Sequence, residues 1–168
     1  RGYYRQPAYR DFPAVGISYE QALAFCKWRT ERVKYYLILA NKPSHDFEYR
    51  LPTKNEWEML AANGSEVFNK NNYYKLVRKT KEKTVYQAKT NANCIFNDSV
   101  PIIARISPTS SYAKNGLGLY DMIGNVSEMV AERGISKGGN WQSTLESCRV
   151  GNNQLYSKPQ ACLGFRCV

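Results

Sequence analysis

GLGLYDMIGNVSE, residues 116–128, is the most specific stretch of this 168-residue chain. Within it, Asp121 and Glu128 flank a glycine turn. A hard cation such as Ca²⁺ takes about six to eight oxygen ligands from carboxylates, amides and backbone carbonyls. The two side chains, with the carbonyls of Gly124 and Val126, can supply such oxygens. On spacing alone, the simpler interpretation is a tight turn that Asp and Asn side chains cap.

Length and composition describe an ordinary globular domain. The chain is long enough for one domain with a core, and its 43% hydrophobic and 23% charged residues exclude a wholly disordered chain. Its one histidine, His45, lies in a polar stretch and is expected to face solvent. A single histidine excludes metal sites built from several histidines. No apolar run approaches the roughly 18 residues that span a bilayer.

The net charge of +10 raises the question of an anionic partner. Seven Lys or Arg residues fall between Lys70 and Lys89, among several tyrosines. One hypothesis is a basic surface that binds nucleic acid or another anionic polymer. A solvated hairpin or insertion is the favoured interpretation, because the run matches no nucleic-acid-binding motif. A nucleic-acid partner is therefore not favoured.

Two helix starts are recognisable. Ser18 followed by Gln21, and Thr53 followed by Glu56, are both capping boxes, in which two side chains satisfy free backbone N–H groups. The first helix is predicted to run to about Ala40.

The remaining elements are predicted to be short. The second helix should end near Asn63-Gly64, and a strand is expected near Ala14–Ile17. From Ser107 onward, frequent Gly, Asn and Pro turns predict an irregular, β-rich half with short strands.

Cysteine usage leaves the redox compartment open. The chain has five cysteines, namely Cys26, Cys94, Cys148, Cys162 and Cys167. No C-x-x-C pair occurs, which argues against a zinc ribbon. Buried free thiols and one or two disulfides are both compatible with this pattern.

Several motifs together resemble one known family. They are RLPT at 50–53 with EWE at 56–58, GLYDM at 118–122 with GNV at 124–126, KGGNW at 137–141, RV at 149–150 and GFR at 164–166. This series resembles the formylglycine-generating enzyme (sulfatase-modifying factor) family from about Phe12 onward. The resemblance implies one irregular α+β domain over residues 1–168, with a C-type-lectin-like fold, two main helices and short strands. It also implies that the family's usual opening strands are missing.

The resemblance sets a test for catalysis. Catalytic members hold copper(I) between two cysteines five residues apart, soon after the Gly-Gly motif. If Cys148 is the second ligand, the first position is Ser143; in the other alignment the two positions are Leu145 and Val150. Neither alignment gives a thiol pair, and copper(I) prefers soft thiolates. Copper is therefore not expected, and a non-enzymatic role is favoured.

The resemblance also implies calcium. The family's main calcium ligands correspond to the donors already identified in residues 116–128, namely Asp121, Gly124, Val126 and Glu128. A second calcium site would use Asn93 and the Cys94 carbonyl, with Asp98 as a further ligand. The family usually has Trp on both sides of the glutamate; here those positions are Ser127 and Met129.

A disulfide between Cys26 and Cys167 is implied by a bridge in some family members. It would close a loop of about 140 residues and contribute up to ~4–5 kcal/mol in the chain-entropy model. Cys148 and Cys162 are a further possible pair, which would leave Cys94 alone. Arg149 and Arg166 are expected to tie strands to carbonyls or to a buried carboxylate.

A narrower resemblance concerns function. The stretches FPAVGIS at 12–18, QA at 21–22 and FCKWRT at 25–30 resemble the family's bacterial lipoprotein branch, which includes gliding-motility and type IX secretion components. This implies an exported envelope protein, periplasmic or outer-membrane-associated, acting with other envelope proteins in an assembly. Any membrane attachment would come from an upstream lipid anchor. The alternatives are an oxidase that acts on a protein cysteine through Cys148, and a basic-surface binder.

Overall fold

A computed structural model describes most of the chain. It covers residues 3–43, 46–62, 92–95, 105–112 and 114–168, and the backbone of 74–79 and 84–88. His45, Asp98 and the predicted helix end at Asn63-Gly64 lie outside the described residues. Of the basic stretch between Lys70 and Lys89, only the backbone of 74–79 and 84–88 is described.

The two predicted helices are present, and both capping boxes are formed. Helix α1 spans Tyr19–Leu39, where the Gln21 backbone N–H donates to Ser18 Oγ at 3.2 Å and the Ser18 N–H donates to Gln21 Oε1 at 2.8 Å. Helix α2 spans Lys54–Ala62, after the equivalent Thr53 and Glu56 pair. These predictions are confirmed, because an i,i+3 capping pair needs only local chain geometry.

Strands are short, as expected from the turn-rich sequence. A two-stranded antiparallel hairpin comprises β1 (Tyr74–Lys79) and β2 (Thr84–Ala88). A four-stranded mixed sheet contains β3 (Ser127–Met129), β4 (Ile135–Lys137), β5 (Gln154–Leu155) and β6 (Leu163–Phe165), in the order β5-β4-β3-β6. β3 pairs antiparallel with β4 and parallel with β6. The α+β fold class is confirmed.

The strand expected near Ala14–Ile17 is not formed. This segment runs against β6, and the Gly16 N–H donates to the carbonyls of Gln160 and Leu163. Gly16 has φ +70°, which interrupts the extended backbone that a strand ladder requires. The prediction was wrong because alternating apolar residues there reflect one-sided burial, not strand pairing.

The core lies around β3. On one side, α1 packs Ala22 and Cys26 against Met129 and Leu163. A second cluster joins Trp57 of α2 to Met122 and Val130, and a third contains Ala92, Cys94, Leu145 and Cys148. Neither helix in the described residues combines the length and the apolar character that a bilayer-spanning segment requires.

Substituting Gly124 with Ala tests the close approach of two segments beside β3. Gly124 has φ +75°, and an added Cβ would lie 2.5 Å from the Asn93 carbonyl oxygen. We expect Gly124→Ala to lower the free energy of unfolding by more than about 2 kcal/mol, since the left-handed backbone and the overlap both cost energy. Chemical denaturation measures this. Gly151→Ala is the control, because an added Cβ there meets nothing within 4 Å; equal losses for the two variants would contradict the prediction.

Candidate functional site

Glu128 and Arg166 form a bidentate charged pair beside the central strand β3. Arg166 Nε donates to Glu128 Oε2 at 3.0 Å, and Arg166 Nη2 donates to Glu128 Oε1 at 2.8 Å. Trp57 Nε1 also donates to Glu128 Oε2 at 2.8 Å. Glu128 on β3 pairs with Gly164 on β6, two residues before Arg166, so the sheet register brings the two charges together. The negative charge of Glu128 raises the pKa of Arg166.

The expected structural role of Arg166 is thereby confirmed. Its Nη2 also donates to the Tyr120 carbonyl at 2.8 Å, which links β6 to the segment before the glycine turn. Arg149, in contrast, pairs with Glu146 three residues earlier, and both side chains are about half exposed. Bidentate pairing of a guanidinium with a carboxylate is strong and directional, so Arg166 fixes the position of Glu128.

Asp121 lies in an unusual environment within residues 116–128. Its backbone is in the left-handed region at φ +55°. Its Oδ2 accepts from the Ser110 N–H at 2.7 Å, whereas the buried Oδ1 has no hydrogen-bond partner among the described residues. Burial raises the pKa of the Asp121 carboxyl. An unpartnered carboxylate oxygen in a buried position is a place where a cation or a donor group would be stabilised.

The four predicted calcium donors fit a calcium ion only in part. Asp121 offers a free oxygen, but both Glu128 oxygens already accept hydrogen bonds from Arg166 and Trp57. A cation facing Glu128 would therefore have to compete with a guanidinium. In the described part of the chain, no three His, Cys, Asp or Glu side chains gather as a metal-binding group. In this arrangement Asp121 has an oxygen available for calcium and Glu128 does not, and calcium binding at Asp121, Gly124, Val126 and Glu128 stays a prediction.

The residues of the second predicted calcium site serve a buried hydrogen-bond network. Asn93 Nδ2 donates to the Arg105 carbonyl, to Ser107 Oγ and to Asn125 Oδ1 at 2.9–3.2 Å. The Asn93 carbonyl accepts from the Asn125 N–H at 2.7 Å. Sequence reasoning missed the role of Asn125, although its place directly after Gly124 was a signal for a special turn. Calcium binding at Asn93 and Cys94 stays a prediction.

The family usually has a Trp on each side of the glutamate, and the residues that take these two positions here are both buried. Ser127 Oγ accepts from Asn140 Nδ2 at 2.9 Å, and Met129 packs in the α1 cluster. The core beside Glu128 is therefore filled by a polar contact on one side and by a flexible thioether side chain on the other.

The position of the family's copper ligands is filled, not open. Cys148 has no exposed surface and lies against Gly139, where an added Cβ would overlap its Sγ. Ser143 Oγ accepts from the Asn140 N–H at 3.1 Å, and the Ser143 carbonyl accepts from Ile95 N–H. In the other alignment, Leu145 packs beside Cys148 and Val150 packs beside Trp57, so these two positions face different clusters. Neither alignment brings two thiols together within the turn.

The structure places a different thiol beside Cys148. Cys94 and Cys148 belong to one buried cluster, and the neighbouring Cys94 thiol together with burial raises the pKa of Cys148. Cys162 Sγ instead faces Gln160 Oε1 at 3.6 Å. The pairing of Cys148 with Cys162 stays a prediction. The parallel bridge between Ile95 and Thr144 is what brings Cys94 beside the turn that contains Cys148.

Cys26 and Cys167 do lie side by side, as the resemblance implied. Burial and then the neighbouring Cys167 thiol raise the pKa of Cys26 to about 11. Arg29 Nη1 contacts Cys167 Sγ at 3.6 Å. The two sulfurs are free thiols in this structure, and the disulfide between them stays a prediction.

An open groove of about 700 Å³ lies beside Asp121, Glu128 and Arg166. Its lining includes both acidic and basic side chains, namely Arg10, Asp11, Arg29, Asp121, Glu128 and Arg166. Neither Ser143 nor Cys148 lines this groove. The groove and the family's copper position are therefore separate features of the molecule.

Two solved structures superpose on this chain, which supports the assigned fold. Treponema denticola variable protein 1 superposes with a TM-score of 0.63 and 19% identity, over 95% of this chain and 71% of that chain. PvdO from Pseudomonas aeruginosa also gives a TM-score of 0.63, with 21% identity over 94% of this chain and 61% of that chain. At these identities the likeness shows the fold alone.

The family is shown by sequence. The model of the sulfatase-modifying factor enzyme 1-like domain matches residues 2–168, so the chain belongs to the formylglycine-generating enzyme (sulfatase-modifying factor) family. Proteins named inactive C-alpha-formylglycine-generating enzyme 2 from Bos taurus and Mus musculus are each 26% identical over 100% of this chain. The chain spans 56% and 55% of the length of these two relatives.

Removing the charge of Arg166 tests the central ion pair. We expect Arg166→Gln to lower the free energy of unfolding by about 2–4 kcal/mol, because it leaves the mostly buried Glu128 carboxylate without its counter-charge. Arg149→Gln is the control, since its exposed pair with Glu146 is expected to contribute less than about 1 kcal/mol. Urea denaturation of the three proteins measures both. Losses of similar size would contradict a special role for Arg166.

Neutralising Asp121 tests the unpartnered oxygen. Because its pKa is raised, the carboxyl contributes stability at a pH below its unfolded pKa, and that contribution is lost as the pH rises through the folded pKa. We expect Asp121→Asn to raise the unfolding temperature at pH 7 and to reduce its change between pH 4 and 7. Asp11→Asn, at an exposed position, should change neither quantity.

The same variant also tests the calcium prediction. If the ion pair of Glu128 with Arg166 persists, the wild type should unfold at the same temperature in calcium as in a chelator. A calcium-dependent rise that Asp121→Asn abolishes would establish a calcium site.

Proposed function

We propose that this protein is a non-catalytic binding or structural module of the formylglycine-generating enzyme family. The observation that carries the proposal is the copper position, where a serine stands at one site and a fully buried cysteine at the other. The two relatives from Bos taurus and Mus musculus bear the word inactive in their names, which supports this proposal.

The chemistry of the position supports the same conclusion. Thiolates bind copper(I), and a thiol must lose its proton to become a ligand or a nucleophile. The pKa of Cys148 is raised by the contact with Cys94 and by burial, so its thiol stays protonated at neutral pH. Ser143 offers a hard hydroxyl oxygen that already accepts a backbone hydrogen bond. Copper is therefore not proposed as a cofactor, and the oxidase hypothesis based on Cys148 has less support.

We further propose that the module acts in a bacterial envelope assembly, such as those of gliding motility or type IX secretion. The stretches at 12–18 and 25–30, which resemble the lipoprotein branch, support this role. Large apolar side chains also lie exposed on α1; Trp28 is 53% and Leu39 67% exposed. Such exposed apolar surface is typical of contact with another protein. Other envelope proteins are the proposed partners, and the periplasm or outer membrane is the proposed location.

Copper(I) competition tests the non-catalytic role. The reduced wild type should fail to remove copper(I) from bicinchoninate, and mass spectrometry should find no conversion of a cysteine-containing peptide to formylglycine. The matched variant is Ser143→Cys combined with Cys94→Ala, which places two thiols five residues apart and frees Cys148 from its neighbour. This variant should gain copper(I) affinity by at least about tenfold, because a thiol then stands at each of the family's two ligand positions. Stoichiometric copper binding together with peptide oxidation by the wild type would overturn the proposal.

A further inference from the structure

We propose that Cys94 and Cys148 are joined by a disulfide bond, which ties residues 92–95 to the turn at residues 144–148. This inference goes beyond the proposed function and does not depend on it. It assigns the second thiol pair of the chain and leaves Cys162, not Cys94, as the unpaired cysteine.

The backbone on both sides of this pair is held in place. The Ile95 N–H donates to the Ser143 carbonyl at 2.8 Å, and the Leu145 N–H donates to the Ile95 carbonyl at 3.0 Å. Cys148 lies one turn further on, where its N–H donates to the Thr144 carbonyl at 3.1 Å. These bonds fix the backbone position of Cys148 relative to that of Cys94, and both residues lie in the same buried cluster.

The other end of the 92–95 segment is also fixed. The Asn93 carbonyl accepts from the Asn125 N–H, and Asn93 Nδ2 bonds to Asn125 Oδ1. Cys94 is thus positioned between two anchored residues, Asn93 and Ile95. A disulfide needs both Cα positions and both Cβ directions to be correct, and a fixed backbone on each side lowers the entropy lost when the bond forms.

The surroundings of the sulfurs favour a stable bond. Cys94 is 4% exposed and Cys148 is fully buried, and their neighbours in the cluster are Ala92 and Leu145. Two thiols make only a weak mutual hydrogen bond in such an apolar site. A disulfide buries no polar hydrogen and is shielded from attack by external thiolates, so it would resist reduction once formed.

The oxidation balances with a disulfide as the oxidant. A disulfide of a thiol oxidoreductase, or of oxidised glutathione, is attacked by the thiolate of one cysteine, which forms a mixed disulfide and releases one thiol. The second cysteine then attacks the mixed disulfide and releases the other thiol. Cys94 and Cys148 together lose two protons and two electrons, and the oxidant takes them up as two thiols. Burial of both sulfurs means that this exchange takes place before the cluster has closed.

With this bond, Cys148 would have a structural role at the copper position instead of a metal-binding one. A sulfur that is bonded to Cys94 can neither bind copper(I) nor act as a nucleophile. The position that resembles a ligand in the family would instead hold a covalent link between two segments that are far apart in the chain.

Peptide mapping without reduction tests the inference. The wild type is equilibrated with excess oxidised glutathione during folding, free thiols are alkylated, and the digest is analysed by mass spectrometry. We expect a linked peptide that contains Cys94 and Cys148, with Cys162 alkylated. Cys94→Ala and Cys148→Ala should each lose this peptide and leave the other cysteine alkylated, whereas the control Cys162→Ala should retain it.

A second measurement uses stability. In a Cys26→Ala, Cys167→Ala background, reduction should lower the unfolding temperature by at least about 5 °C, and the further change Cys162→Ala should leave that difference unchanged. Alkylation of both Cys94 and Cys148 in the oxidised wild type, or a link between Cys148 and Cys162, would overturn the inference. Copper(I) competition is measured on the reduced protein, in which no disulfide is present, so the proposed function stands or falls by its own experiment.

Discussion

The bidentate contact between Glu128 and Arg166 couples three elements of the fold. It joins the central strand β3 to the residues after β6, and Trp57 adds a bond from α2 to the same carboxylate. Three elements that are distant in sequence therefore meet at one charge. Because a mostly buried carboxylate without its partners is costly, the arrangement of the sheet, α2 and the glycine turn is coupled through this residue.

Close backbone approach is the second constraint. Gly124 lets the turn lie against Asn93, and Gly139 lets the chain lie against Cys148. The glycine turn, for which the family resemblance implies a calcium site, is in this structure a junction of backbone segments with Asn93 and Asn125 at its centre. The same close packing fills the space beside Cys148, which lies in a buried cluster with Cys94 and Leu145.

These features are consistent with one account of the molecule. Catalysis at the copper position needs accessible, ionisable sulfur, and this chain has a serine and a buried thiol there. Membership of the family accounts for the fold of the chain. The chemistry of Ser143 and Cys148 at the copper position is the basis of the proposed non-catalytic role. The open groove beside Asp121 and Arg166, which mixes both signs of charge, is separate from that position.

The helix starts, the turn-rich second half and the family can all be read from the amino-acid sequence. Capping boxes at Ser18 and Thr53 are i,i+3 contacts, and family motifs are read along the chain, so neither needs knowledge of distant residues. Only the tertiary structure decided the partners of Glu128, the absence of a strand at Ala14–Ile17 and the placement of Cys148 against Cys94. Each of these depends on which distant segment packs beside a residue. In a fold with short strands and many turns, long-range register and close backbone contact decide which segments meet. The spacing of residues along the chain does not encode those contacts.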